Sequence, residues 1–132
     1  MMADGPRSVL IVDDSENAAA TLEIALLGIP GLSVTLASSA FEALNILGRT
    51  GSEVQAIVTD LNMPSMDGYE LIRRLRNGGR HSATPIVVVS GDIDPATPGR
   101  LAEMGVSAFF PKPFSPAEVR RKLEQILNGT TQ

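Results

Sequence analysis

Two short runs, Val9-Leu10-Ile11-Val12 and Ile86-Val87-Val88-Val89, contain no polar residue. A strand with one face in water alternates apolar and polar positions, so an unbroken apolar run of this length points to a strand covered on both faces. Such strands are found in parallel sheets, where each connection between neighbours needs a long crossover, usually a helix. That requirement sets the architecture to look for: strand and helix in alternation, with helices on both faces of the sheet.

The chain offers five such pairs. Val9–Val12 leads into Asp13-Asp14-Ser15 and a helix from Glu16 to Leu27, with Ser15 as N-cap and Ala19, Leu22, Ile24, Ala25 and Leu26 as its apolar set. Gly28-Ile29-Pro30-Gly31 ends that helix, and Leu32–Ala37 alternates as a half-exposed edge strand does. Ser38 or Ser39 caps a second helix, Ala40 to Leu47, whose apolar stripe includes Phe41, and Gly48 to Gly51 releases the chain. A third strand through Val54, Ile57 and Val58 runs into Asp60. In the third helix Tyr69, Leu71, Ile72 and Leu75 fall at helical spacing, and Arg73, Arg74 and Arg76 sit where cations complement the dipole. The fourth strand ends at Ser90. Pro95, Pro98 and Gly99 leave the fourth helix short, with Thr97 expected as its cap. Ala108-Phe109-Phe110 is a brief fifth strand, and Ser115 caps a last helix from Pro116 to Leu127. The expected fold is a single α/β domain over residues 8–128, with flexible ends at 1–7 and 129–132. It is a three-layer (βα)5 sandwich around a parallel five-stranded sheet of flavodoxin-like order 2-1-3-4-5.

A net charge of −4 argues against direct nucleic-acid binding, which would need a cationic excess on at least one face. The absence of cysteine excludes disulfides, thiolate metal sites and cysteine nucleophiles. No segment approaches the roughly 20 apolar residues of a membrane span, and Met1–Ser8 lacks the apolar centre of a secretion signal. A cytoplasmic protein is expected, away from membranes, with proteins or small ions as partners.

Open sheets of this kind bind ligands at the carboxyl ends of their strands. The residues there are Asp13 and Asp14 after strand one, Asp60 after strand three, Ser90 at the end of strand four and Lys112 after strand five. Strands one and three are neighbours in the expected order, so three carboxylates converge. Crowded like charges need a cation between them, and a hard divalent ion with oxygen ligands answers best. Mg²⁺ is the expected cofactor, held by Asp14, Asp60 and the carbonyl of Asn62, with Asp13 acting through water. A carboxylate so placed, with an ammonium and a hydroxyl aimed at the same point, is equipped to attack a phosphoryl group. Asp60 is then the nucleophile, and Lys112 and Ser90 hold phosphoryl oxygens.

Together the stretches IVDDS, TDLNMPSMDGYEL, VVVSG and FFPKPF resemble the receiver domain of two-component response regulators, the CheY-like family, from about Ser8 to Leu127. The specificity lies in the combination, with Ser90 thirty residues after Asp60 and Lys112 twenty-two beyond. The resemblance implies that Asp60 takes a phosphoryl group from a phosphohistidine on a histidine kinase or histidine phosphotransfer protein and later loses it by hydrolysis, with no further catalytic turnover. It implies that Ser90 and Phe109 shift together and remodel the face of helix four, strand five and helix five. That face would meet a downstream protein target or an output domain on a longer chain. The implied assembly is a monomer or a weak phosphorylation-dependent dimer, either a stand-alone regulator or part of a longer one. A cis Lys112-Pro113 bond is implied as well. Asn62 and Asp92 flank the site at positions that tune hydrolysis in the family. Pro111 departs from the family's usual apolar residue, which an edge strand tolerates, and Phe109 lacks a hydroxyl.

Each residue alone has a plainer role. Asp13 or Asp14 can cap a helix, Ser90 can end a strand, and Lys112 can be a solvated charge. His81 reads as an exposed loop residue and Arg120-Arg121-Lys122 as a solvated helix face. Two alternatives stand beside the signalling reading. One is an aspartate-nucleophile phosphohydrolase of the haloacid dehalogenase type, whose second Asp follows the nucleophile by two residues, a spacing Asp13-Asp14 lacks. The other is a receiver-like scaffold that is not phosphorylated.

Overall fold

Four of the helices begin where a short polar side chain can accept the free N–H groups of the first turn. Ser15 accepts from Ala18 ahead of α1 (Glu16–Leu26), and Ser39 from Glu42 ahead of α2 (Ala40–Leu47). Asp67 accepts from Glu70 ahead of α3 (Gly68–Arg76), and Ser115 from Glu118 ahead of α5 (Pro116–Leu127). The exception is α4 (Thr97–Glu103), whose N-cap is Ala96 and makes no side-chain bond. The strands between them are β1 (Arg7–Val12), β2 (Leu32–Ala37), β3 (Ala56–Thr59), β4 (Ile86–Ser90) and β5 (Ala108–Pro111).

The computed structural model describes residues 7–49 and 53–129. All pairings in the sheet are parallel, and the order is β2-β1-β3-β4-β5, as expected. Alternate residues of the inner strands feed two cores. Leu10, Val12, Ile57 and Val88 pack with Ala43, Leu71, Ile72 and Leu101 on the side of α2, α3 and α4. Val9, Ile11, Val58, Val87 and Val89 pack with Leu22, Leu26, Val119 and Leu123 on the side of α1 and α5. All four residues of Val9–Val12 are wholly inaccessible. Each such side chain contributes about 2 kcal/mol of burial, which is what makes the unbroken apolar run readable as a doubly covered strand.

Some positions differ from expectation. Arg7 opens β1, in register with Leu32, instead of belonging to a flexible end. The remainder of the expected flexible ends, at 1–6 and 130–132, and the loop positions Thr50 and Gly51 lie outside the described residues. Ile24 and Phe41 are 68% and 55% exposed, because only one edge of each helical stripe meets the sheet. Thr97 is no cap: it lies inside α4, buried, and its hydroxyl is engaged by the Tyr69 hydroxyl at 3.3 Å. His81 is also buried instead of exposed. Among the described residues no helix is long and apolar enough to cross a membrane.

Candidate functional site

The carboxyl end of the sheet is built by ladder bonds that continue one residue past each strand. The amide of Asp13 donates to Ala37, that of Asp60 to Val12 and that of Lys112 to Ser90, at 3.0, 3.0 and 2.9 Å. These bonds fix the three backbones side by side. Among the described residues six polar ones are buried, and Asp13, Asp60 and Ser90 are three of them, with Thr59 beside Asp60 donating its hydroxyl to the Asp60 carbonyl at 2.8 Å. Unpaired buried polar groups are expensive, so such a cluster needs internal partners.

Lys112 supplies one. Its Nζ is 3.2 Å from Oδ2 of Asp60 and 3.4 Å from Oδ2 of Asp13. Oδ1 of Asp60 accepts from the amides of Leu61 and Asn62 at 2.6 and 3.3 Å, and Oδ1 of Asp13 accepts from the amide of Ser15 at 2.9 Å. Burial pushes the Asp13 carboxyl above its ordinary value, and Asp60 adds to the rise while Ser15 and Lys112 oppose it. Burial alone would lower the Lys112 ammonium, but Asp13 and Asp60 together outweigh it and hold it above its usual range.

Asp14, exposed, completes the set. One oxygen each from Asp13, Asp14 and Asp60 lies within 4.8 Å of the others. One ammonium against three carboxylates leaves a negative excess of hard oxygen donors, the set a small divalent cation takes. Ser90 faces the same space from β4. Its hydroxyl oxygen accepts from the Asn62 side-chain amide at 3.4 Å and from the Asp92 amide at 3.3 Å. The structure therefore brings together Asp13, Asp14, Asp60, Asn62, Ser90 and Lys112. Phe109 sits apart from them, half-buried on the Val88 face of β5, two positions before Pro111, the register partner of Ser90. The Lys112–Pro113 bond is cis.

The turn after Asp60 has a steric reason. A Cβ on Gly68 would lie 2.3 Å from the Asp60 carbonyl oxygen and 2.8 Å from the Leu61 Cα, so the start of α3 can pass beneath the site only without a side chain. The amide of Gly68 then donates to the Leu61 carbonyl at 2.9 Å. The residue of this turn with positive φ is Ser65, at 72°. Sequence reasoning assigned Asn62 a carbonyl role and missed its side-chain bond to Ser90; the signal was its place two residues after Asp60. It missed Thr59 as well, for which a threonine at a strand end is no distinctive signal.

With this geometry in place, comparison with known proteins decides the family. The sequence profile described as the response regulator receiver domain matches residues 9–124. The chain belongs to that family. This receiver domain is 34% identical over 122 residues to the two-component response regulator ORR11 of Oryza sativa, covering 92% of the chain and 82% of that protein. It is 30% identical over 119 residues to a chemotaxis protein CheY homolog of Campylobacter jejuni, covering 90% and 91%. Among solved structures, a response regulator receiver protein from Pseudomonas putida superposes with a TM-score of 0.83 at 29% identity, covering 92% of this chain and 98% of that one. The chemotaxis response regulator CheY4 of Vibrio cholerae superposes at 0.79 with 26% identity, covering 92% and 99%.

Proposed function

We propose that this receiver domain is a phosphoacceptor of a two-component phosphorelay, with Asp60 as the residue phosphorylated by a histidine kinase or histidine phosphotransfer protein. The observation that carries the reading is the shared grip of Lys112 on Asp60 and Asp13, with Ser90 facing the same space. A carboxylate oxygen of Asp60 forms a bond to phosphorus as the bond to the donor imidazole nitrogen breaks, and that nitrogen leaves with the electron pair. Lys112 exchanges its contact with Asp60 for a phosphoryl oxygen, so the new charge is met by a cation already in place. Ser90 donates a hydrogen bond from its hydroxyl to a second phosphoryl oxygen. The donor set fits Mg²⁺, which Asp13, Asp14, Asp60 and the Asn62 carbonyl would hold, and which supplies further neutralisation of the phosphoryl oxygens when bound.

Movement of Ser90 toward the phosphoryl group breaks its bond from Asn62 and empties space above β5. Phe109, half-buried and without a hydroxyl to anchor it, is the ring placed to fill that space, changing the surface of α4, β5 and α5 that a downstream protein reads. The test is incubation with acetyl phosphate and Mg²⁺, followed by intact mass. The wild-type chain gains one phosphoryl group and Asp60→Asn gains none; labelling that persists in Asp60→Asn removes the assignment.

A further inference from the structure

Five of the eleven lysines and arginines, Arg73, Arg74, Arg76, Arg80 and Arg100, lie on α3, the loop after it and α4, in a chain of net charge −4. Dipole complementarity does not account for this gathering. Arg76 donates to the carbonyls of Ser82, Thr84, Met104 and Gly105, none of them from its own helix. Arg73 and Arg74 share one carboxylate, Glu70, and their side chains remain 58% and 52% exposed. Arg100 lies over the Tyr69 ring at 3.9 Å and forms no ion pair among the described residues. A guanidinium stacked by its face keeps its N–H edge free for an anion.

Arg73, Arg74, Arg76 and Arg100, but not Arg80, line two adjoining depressions along α3 and α4, of about 630 Å³ and about 470 Å³, which share Arg73 and Arg100. Glu103 is the one acidic residue lining the first. The second is lined as well by two acids, Asp67, which caps α3, and Glu70, already paired with Arg73 and Arg74, and it adds Tyr69, Met66 and Phe41, the last 55% exposed. None of Asp13, Asp14, Asp60, Ser90 and Lys112 lines either depression. Arg76 lines the first alone, Arg74 the second alone and Arg73 and Arg100 both, a distribution over two depressions that suits a row of carboxylates better than a single phosphate. Arginine beside an exposed aromatic is also the composition of protein interface centres.

We propose that the α3–α4 trough is a docking site for an acidic peptide segment of a partner protein, with carboxylates on Arg73 and Arg100 and an apolar side chain resting on Phe41. The surface lies outside the acidic pocket and needs no phosphorylation of Asp60.

The test titrates the isotope-labelled full chain, without phosphodonor, with a short synthetic peptide of alternating Glu and Leu, and in parallel with its Gln-for-Glu counterpart. Amide shifts confined to Ala40–Glu42, Ser65–Asn77 and Thr97–Gly105 are expected for the Glu peptide alone, weakening with added salt. Arg73→Gln with Arg100→Gln should raise Kd about tenfold, while Arg120→Gln with Arg121→Gln on α5, the same change in net charge, leaves it unaltered. Arg73→Gln by itself, which leaves the Tyr69 stack intact, should give a smaller loss in the same direction. Shifts centred elsewhere, equal binding of the Gln peptide, equal loss in both double variants, or no saturable binding overturns the proposal. Mass labelling of Asp60 is read separately, so failure of either reading is seen without the other.

Discussion

His81 is 8% exposed, with Nδ1 3.0 Å from the Thr84 hydroxyl and no hydrogen-bond partner for Nε2 among the described residues. Burial lowers its pKa, and the neighbouring Arg80 lowers it further, against smaller opposing effects of Glu53 and the Leu47 carbonyl. An unfolded histidine titrates near pH 6.5, so below that value the unfolded chain binds the proton more readily than the folded one. The stability held by neutral His81 is complete above the unfolded pKa and is lost as pH falls through the folded one. Between about pH 7 and about pH 5 the urea midpoint of the wild-type chain should fall, and His81→Gln should flatten that part of the profile. Parallel profiles for the two would refute the account. A lone histidine in the polar loop from Gly78 to Thr84 gives no local sign of burial. What covers it is a long-range fold-back, in which Arg80 reaches the carbonyls of Leu47 and Arg49 at the end of α2, at 3.4 and 2.7 Å. Asp60, Ser90 and Lys112 were legible for the opposite reason: each stands where an apolar run stops, and the parallel sheet brings those stops to one edge.

At the scale of elements, α4 is the weakest piece of the fold. It has seven residues and no side-chain cap, and it buries only Thr97 and Leu101. Polar clamps from α3 compensate at both ends. Tyr69 meets Thr97 and Arg100 near the start, and Arg76 donates to Met104 and Gly105 near the end, both at 3.1 Å. Hydrogen bonds from a charged donor contribute about 1.5–3 kcal/mol each when well shielded, and Arg76 is half-exposed, so the lower figure applies. Arg76→Met should speed hydrogen exchange of the Met104, Gly105 and Val106 amides by more than about tenfold while leaving β1 and β3 unchanged, because the opening is local. Equal acceleration in the central strands would mean that Arg76 supports the whole fold and not α4. Short length and two prolines made the brevity of α4 readable. Its anchoring was not, since Thr97 has the composition of a cap, and only the approach of Tyr69 from twenty-eight residues earlier withdraws its hydroxyl from that role.

At the scale of the whole fold, two apolar cores hold the sheet from either side and bring oxygens of three carboxylates within 4.8 Å of one another at one end. The outline of that arrangement was legible, because unbroken apolar strands demand the crossovers that carry Asp13, Asp60 and Lys112 to the same edge. Its finer fit was not, because the approach of Gly68 to the Asp60 backbone is decided by where α3 packs. Lys112 pairs with Asp13 and Asp60, so Asp14 is the carboxylate of the three without a cation among the described residues. Like charges at this separation oppose folding, and a divalent ion that binds the folded chain alone reverses the penalty. In EDTA, Asp14→Asn should therefore melt slightly above the wild-type chain, since an amide of the same shape relieves repulsion and breaks no ion pair. With Mg²⁺ at about a hundred times its Kd the wild-type chain should gain about 2.7 kcal/mol, while Asp14→Asn, short of one hard ligand, gains much less. The order of melting temperatures then inverts between the two conditions. Calorimetry of both chains in EDTA and in Mg²⁺ reads this directly: a wild-type chain that is the more stable in EDTA, or a Mg²⁺ increment equal in both, would show that the three carboxylates share no ion and that their convergence serves another purpose.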